Sequence, residues 1–559
     1  MLAVGLSAVF FLLWYTVINP AKKDANPPAA PAAQAVEATK SIEAAAPAVT
    51  ESSAGKEASA ALADPQARIP FVTSMLKNSL VEADVTNDGG VVTSWRVLDY
   101  RQTTDPKSPP IDLALSEQGI PAPLSLSLDS ASLGIPERPR FEVVESSDSK
   151  VVLRWRSQKI ELTKTISLKP DSYSADVSID VQNRSSEPIT IRPTLDWSGV
   201  NLPQKKKGGP FSFLTGQQVD IRQPVFFVDG KAHRPKDVQK LTKPQSSTGA
   251  VYWAGIESRY FLSAIIPRVQ GDGLAAEYGN AGQPADAQAA QGLWAGVSLP
   301  PTAVPPGGGY KSGFSVYAGP KEMNLLKAMG VRLEEAIDYG WFTVIAIPIL
   351  YLLQFFYGVV RNYGIAIILL TIFVKLLLHP VNVRSLKSMK AMQQLQPRLK
   401  ELQKKYKDDK QRLNAETMQL FRAHKVNPMG GCLPMLLQLP IYIALYKVLW
   451  SSIELYHAPF FWFYQDLSAP DPYLITPILL GIFMVAQQLL TPSASADPAQ
   501  KKMMMFMPIM FTGFMLFLPV GLVIYILVNT GMSVTQQWMY NKGIGFMDLI
   551  RGRLGAKPA

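Results

Sequence analysis

Between residues 363 and 380 the chain runs through Ile, Leu, Phe and Val, yet Thr371, Lys375 and His379 recur at every fourth position. On an α-helix that spacing gathers them into one polar stripe. A cation in an apolar span points to a bundle interior or a water-filled cavity. The competing reading is snorkelling, because Lys375 lies about one turn from the basic end of the segment and its stem is long. Continuation of the stripe inward to Thr371 favours the cavity. A second stripe, Tyr525, Asn529, Ser533 and Gln536 with Gln537, runs along 521–540, while Gln438 lies in 431–450 and Gln487 with Gln488 in 473–491. Singly, each amide or hydroxyl makes an ordinary interhelical hydrogen bond worth about 1 kcal/mol or less. Around one cation they describe a hydrophilic groove within a bilayer, lined by Lys375, Thr371, Gln438, Gln488, Tyr525 and Asn529. Such a groove would solvate a polar segment in transit.

Covalent chemistry is poorly supplied. There are four histidines, His233, His379, His424 and His457, and neither HExxH, GxSxG, a Walker A sequence nor a paired-cysteine metal site is present. Ser533 has no evident partner for an intramembrane protease. The run Pro305-Pro-Gly-Gly-Gly-Tyr-Lys-Ser imitates a phosphate loop only superficially, since Tyr310 stands where that motif needs glycine. The expectation is a non-enzyme without cofactor or metal.

The elements that must position the stripes are apolar segments at about 362–380, 431–450, 473–491, 503–518 and 521–540, preceded by one at 341–360. Residues 384–425 carry twelve Lys and Arg against four acidic residues, which places them on the cytoplasmic side. They read as a helical hairpin, with Leu386, Met389, Met392, Leu395, Leu399 and Leu402 on the first helix and Leu413, Met418, Leu420 and Phe421 on the second, broken near 407–409. Its basic face, with Arg384, Lys387, Lys404, Lys405 and Lys407, suits anionic lipid or the ribosome. The 503–518 segment is too short for a full bilayer and rich in methionine, which suits varied apolar partners. With 431–450 it supplies candidates for a hydrophobic slide: Leu433, Met435 and Ile441, then Met507, Met510 and Phe514. Segment 341–360 either spans or lies at the interface, and hydropathy leaves that open.

The first half is different in kind. Residues 1–19 read as an apolar anchor helix, with a cleavable signal as the rival, and 20–64 as a disordered Ala/Pro/Glu-rich linker. From 65 to 319 the period falls to two, as in Val151-Val-Leu-Arg-Trp-Arg, giving an all-β sandwich domain. An interfacial helical segment 320–360, a core 361–541 and a basic tail 542–559 complete the chain. The single cysteine, Cys432, excludes an internal disulfide. The net charge of +11 is concentrated beside the apolar segments, which points to head groups or ribosomal RNA and away from DNA.

The run Lys425-Val-Asn-Pro-Met-Gly-Gly-Cys-Leu-Pro-Met-Leu-Leu-Gln-Leu-Pro-Ile-Tyr-Ile-Ala-Leu-Tyr resembles the YidC/Oxa/Alb insertase family, as do Asp466-Leu-Ser-Ala-Pro-Asp-Pro-Tyr, Phe506-Met-Pro and Phe517-Leu-Pro-Val-Gly-Leu-Val-Ile-Tyr. Tether, β domain and five-helix core together are similar to the Gram-negative YidC type. The resemblance implies a multi-pass inner-membrane insertase and chaperone with a periplasmic β-supersandwich, 341–360 at the interface, and the hairpin and C-terminus in the cytoplasm. It implies nascent membrane proteins as clients, the Sec translocon as partner, and the ribosome and signal recognition machinery nearby. The family's groove cation is usually arginine, and the matching position is Lys375, which keeps the charge and loses the two-pronged donor. The β domain is similar to sugar mutarotases, which implies a fold and no sugar chemistry. A channel or secondary transporter is the alternative function; it predicts an inverted repeat among the spans, and none is evident.

Overall fold

The computed structural model describes residues 69–542, apart from 115–121, 129–132, 202–220, 236–237, 239–242, 270, 272, 282–290, 408, 425, 427–432, 462 and 491–497. The expected anchor 1–19, the linker 20–64 and all of the tail 542–559 beyond Lys542 lie outside the described residues.

Alternating sequence makes the β half. In Ile160–Leu168 the inward positions are Ile160, Leu162, Lys164, Ile166 and Leu168, and in Ser174–Asn183 they include Ala175, Val177, Ile179 and Val181. These strands sit in a nine-stranded antiparallel sheet ordered Lys231–His233, Gln223–Val228, Val251–Glu257, Phe261–Pro267, Gly309–Pro320, Ser174–Asn183, Ile160–Leu168, Lys150–Arg156 and Glu142–Ser146. A five-stranded sheet centred on Thr194–Asn201 and Gln291–Ser298, a four-stranded sheet from Thr73 to Asp112 and a two-stranded ribbon complete the sandwich. Trp95 and Trp197 meet edge to face at 5.8 Å, and the Trp95 indole donates to the Ala318 carbonyl at 2.9 Å, so one aromatic pair touches three sheets.

Lys164 occupies a core register position without exposure. Its ammonium donates to the Gly90 carbonyl at 2.8 Å and to the Leu124 carbonyl. Gly90 (φ 60°) and Leu124 (φ 62°) both hold left-handed backbone at the entry to strands of the other two sheets. At Gly90 a side chain would be strained by the positive φ and crowded as well, since a Cβ there would stand 3.1 Å from the Phe141 ring.

The last strand hands over to helices through Glu257, which accepts from Gln223, Arg234 at 2.6 Å and Lys321 at 3.3 Å. Helix α1 (Met323–Ala328) and two 3-10 turns lead to α2 (Thr343–Val360), which is apolar on both faces. Ala346, Ile349, Leu350 and Leu353 are buried, while Val344, Phe355 and Val359 are exposed. Arg361 (φ 53°) ends α2, and the Asn362 side chain caps α3 (Tyr363–Gln394) by accepting from Ile365 N. By length and apolarity α2 and α3 are each able to cross a membrane. They are followed by α4 (Gln396–Lys405), α5 (Lys410–Ala423), α6 (Leu433–Ser451), α7 (Ile475–Leu490), α8 (Pro498–Met515) and α9 (Val520–Asn541). Prolines 348, 380, 440 and 508 lie inside α2, α3, α6 and α8.

Two boundaries differ from the sequence pattern. The first hairpin helix is split: α3 continues past Pro380 to Gln394, and α4 restarts with Pro397 in its first turn. Proline has no N–H for the preceding turn, so the ladder breaks there and its fixed φ suits a new helix start. The break near 407–409 is present, and Leu395, Leu399 and Phe421 pack the hairpin. Helix α8 starts at Pro498 and ends at Met515, so Phe517 and Leu518 fall in the turn. That turn is pinned by the preceding loop, with Val520 N donating to Ala469 O at 2.8 Å and Gly521 N to Leu467 O at 3.0 Å.

Candidate functional site

Helices α3, α6 and α9 bring the stripes together. Lys375 is 3% exposed, and its Nζ donates to Ser533 Oγ at 2.7 Å. Ser533 donates in turn to the Asn529 carbonyl at 2.9 Å. The Asn529 side chain accepts from Gln438 Nε2 at 2.7 Å and donates to the Tyr442 hydroxyl. Spacing by four explains the layout: Asn529 and Ser533 share one face of α9, Gln438 and Tyr442 one face of α6. Tyr442 and Tyr525 meet edge to face at 5.5 Å, and the buried Tyr525 hydroxyl lies beside Gln438 without a well-formed hydrogen bond.

The cation is underserved. An ammonium carries three donors, and one hydroxyl satisfies one of them. Among the described residues no carboxylate forms an ion pair with Lys375. A charge held in a low-dielectric interior without a counter-ion costs several kcal/mol, which a carboxylate or water arriving beside it would recover.

The remaining expected groove residues divide. Thr371 is buried one turn deeper, but its hydroxyl donates to its own helix at Ile367 O, 2.6 Å away, so it extends the polar stripe without joining the network. Gln488 is half-buried on α7 and takes part in none of these bonds. Gln536 reaches His379 Nδ1 at 3.3 Å, one turn towards the hairpin, and Gln537 donates to Leu490 O at 2.9 Å and ties α9 to the end of α7. Ser533 and Tyr442 are the members that the choice of groove residues passed over. The signal for both was present, since each sits four residues from a chosen amide.

The slide candidates also divide. Met507 and Met510 are exposed on α8. Ile441 and Phe514 are half-buried and pack inward, Ile441 on the main core and Phe514 in a cluster with Leu480, Met515 and Val523. The side chains of Leu433 and Met435 lie outside the described residues. Sequence reading missed the wider apolar surface beside Met507 and Met510: Phe506 and Ile509 on α8, and Ile478, Ile482, Val485 and Leu489 on α7. Helix α7 and the apolar stretch Met505–Met515 are both shorter than α2 and α3.

Arg384 and Lys387 on the far end of α3, Lys404 and Lys405 on α4 and Lys407 beyond it are all exposed. No group of three or more His, Cys, Asp or Glu able to hold a metal occurs among the described residues.

Two family models match: that of the YidC periplasmic domain over residues 74–352, and that of the 60Kd inner membrane protein over 355–546. The membrane protein insertase YidC of Syntrophus aciditrophicus is 37% identical over 564 residues, covering 97% of this chain and 99% of that protein. That of Geobacter metallireducens is 35% identical, covering 97% and 98%. Among solved structures, an active YidC insertase with its first transmembrane domain resolved aligns over 84% of this chain and 94% of that one, with 18% identity and a TM-score of 0.37.

Proposed function

The chain belongs to the YidC family of membrane protein insertases, and from that premise we propose how its groove hands a client to the bilayer. It is an inner-membrane insertase with a periplasmic β domain. The excess of basic residues over 384–425 supports a cytoplasmic hairpin, so the Lys375 end of α3 faces the side on which clients are made.

The observation that carries the mechanism is Lys375, buried with a hydroxyl as its partner. A client hairpin or N-tail enters from the cytoplasm, and an acidic residue on it takes the place left beside the ammonium. At a contact distance of about 4 Å and an effective dielectric near 20, such a pair is attracted by roughly 4 kcal/mol before desolvation. Asn529, Gln438, Tyr442 and Ser533 solvate the polar flank meanwhile. The apolar flank moves along Met507, Met510 and the exposed face of α7 into lipid, and burial of apolar surface supplies the driving force without ATP, metal or covalent chemistry. Thr371, Gln488 and Tyr525 line the same groove, Leu433 and Met435 extend the apolar path, and Ile441 and Phe514 support it from within. The exposed bases Arg384, Lys387, Lys404, Lys405 and Lys407 meet the ribosome, signal recognition machinery or anionic lipid, and the Sec translocon is a partner for longer clients.

Reconstitution of the purified chain into liposomes, with protease protection of a two-span substrate, tests this. Lys375→Glu is expected to slow insertion of an acid-tailed substrate at least tenfold and leave a neutral-tailed one within twofold. Unchanged insertion of the acidic substrate removes the capture role. Solute flux with no protected substrate would instead favour a channel.

A further inference from the structure

Apart from the groove, the β domain and the loop between α6 and α7 line a cavity of about 280 Å3. Two arginines, Arg222 and Arg259, line it from the β side, and Asp466 and Ser468 line it from the loop. The loop runs from 452 to 474 between the ends of two apolar helices, and Phe461, Phe463 and Tyr473 on it are exposed, as an aromatic belt at a membrane surface is. The cavity therefore opens at head-group level on the β-domain side.

Its charges are held in place. Arg259 donates through Nε to the Trp450 carbonyl at 2.7 Å and stacks 3.7 Å over the Trp450 ring. Arg222 donates to the Leu113 carbonyl at 3.3 Å. Asp466 accepts from Ser468 N at 2.8 Å and Ser468 Oγ at 2.6 Å, and its other oxygen lies 3.6 Å from His457 Nε2. Burial holds His457 below its ordinary range, so at neutral pH the imidazole beside Asp466 is uncharged and brings no positive charge to the cavity.

We propose that this cavity is a phospholipid headgroup site that takes a zwitterionic phosphate–ammonium head, with the phosphate at Arg222 and Arg259 and the ammonium at Asp466. Guanidinium pairs are suited to phosphate oxygens. A carboxylate in the same small space is unfavourable to a purely anionic ligand and favourable to a primary ammonium. The volume lies at the low end of ligand pockets, enough for a headgroup and too small for a peptide segment.

Native mass spectrometry of the full-length chain in detergent, titrated with short-chain phosphatidylethanolamine, phosphatidylglycerol, phosphatidylcholine or inorganic phosphate, tests it. Phosphatidylethanolamine is expected to bind at least fivefold tighter than the other two lipids, and inorganic phosphate is expected not to displace it. Arg222→Gln should weaken all three lipids about tenfold, whereas Asp466→Asn should remove the preference for the primary ammonium. Ile111→Trp leaves every charge in place and fills the cavity from the β side, so it should abolish binding in a protein whose melting is unchanged. Equal binding of the three lipids, preference for phosphatidylglycerol, displacement by inorganic phosphate, or full binding by Ile111→Trp each overturns the proposal. None of these readouts depends on insertion, so the groove mechanism stands or falls separately.

Discussion

Lys164 and Lys375 are both buried lysines, one in each half of the molecule, and they are treated in opposite ways. Lys164 ends on two backbone carbonyls, Gly90 and Leu124, that belong to left-handed residues of two other sheets, with Asp196 adding an attractive field. Lys375 ends on one serine hydroxyl. The first ammonium is a pin that joins three sheets and leaves little for a ligand. The second keeps donors in reserve inside a membrane, where reserve is expensive. Burial alone does not tell the two lysines apart; the completeness of their partners does.

Removing the pin should have the largest effect. Lys164→Ala strands two carbonyls and opens a cavity, an expected loss of about 3–5 kcal/mol in the β domain, read by denaturant unfolding through Trp95 and Trp197 fluorescence. Lys375→Ala should leave that transition unmoved. A comparable shift in both variants would erase the distinction.

A pH series sharpens it further. Burial lowers Lys164 from its ordinary value to about 7. Between pH 7 and the unfolded value the unfolded chain therefore binds more protons than the folded one, and stability rises with pH. Asp196, pushed up to about 7 by burial, contributes its own slope only below that point. From pH 7 to 9 the gain should be on the order of 2 kcal/mol in wild type. Lys164→Met, which carries no titrating group there, should be flat.

The smallest effect belongs to the groove. Asn529→Ala removes partners of Gln438 and Tyr442 and should cost about 1 kcal/mol of global stability while slowing insertion severalfold. Stability loss without a change in insertion would make the network a pin as well.

Much of this was legible beforehand, for local reasons. Spacing by four exposed the Lys375 and Asn529 stripes, and alternation revealed the β half. In Ile160-Glu-Leu-Thr-Lys-Thr-Ile-Ser-Leu, Lys164 falls at an inward position, a breach of alternation that sequence reading missed. Its partners were not legible, because Gly90 and Leu124 lie 74 and 40 residues away. The same holds for Gln438 with Asn529, 91 residues apart. Thr371 looked like a groove donor because periodicity gives direction without saying that a hydroxyl will turn back on its own helix. The inward packing of Ile441 and Phe514 likewise depends on neighbouring helices, about which composition says nothing.

The prolines inside α2, α3, α6 and α8 carry a mechanical consequence. Each removes one rung from a ladder of hydrogen bonds, so four rods of the bundle contain a joint at a defined residue. Helix α9, which bears Asn529 and Ser533, has no proline within its 22 residues. Compliance thus resides in α2, α3, α6 and α8, while α9 and α7, whose Pro477 lies in its first turn, keep their ladders unbroken.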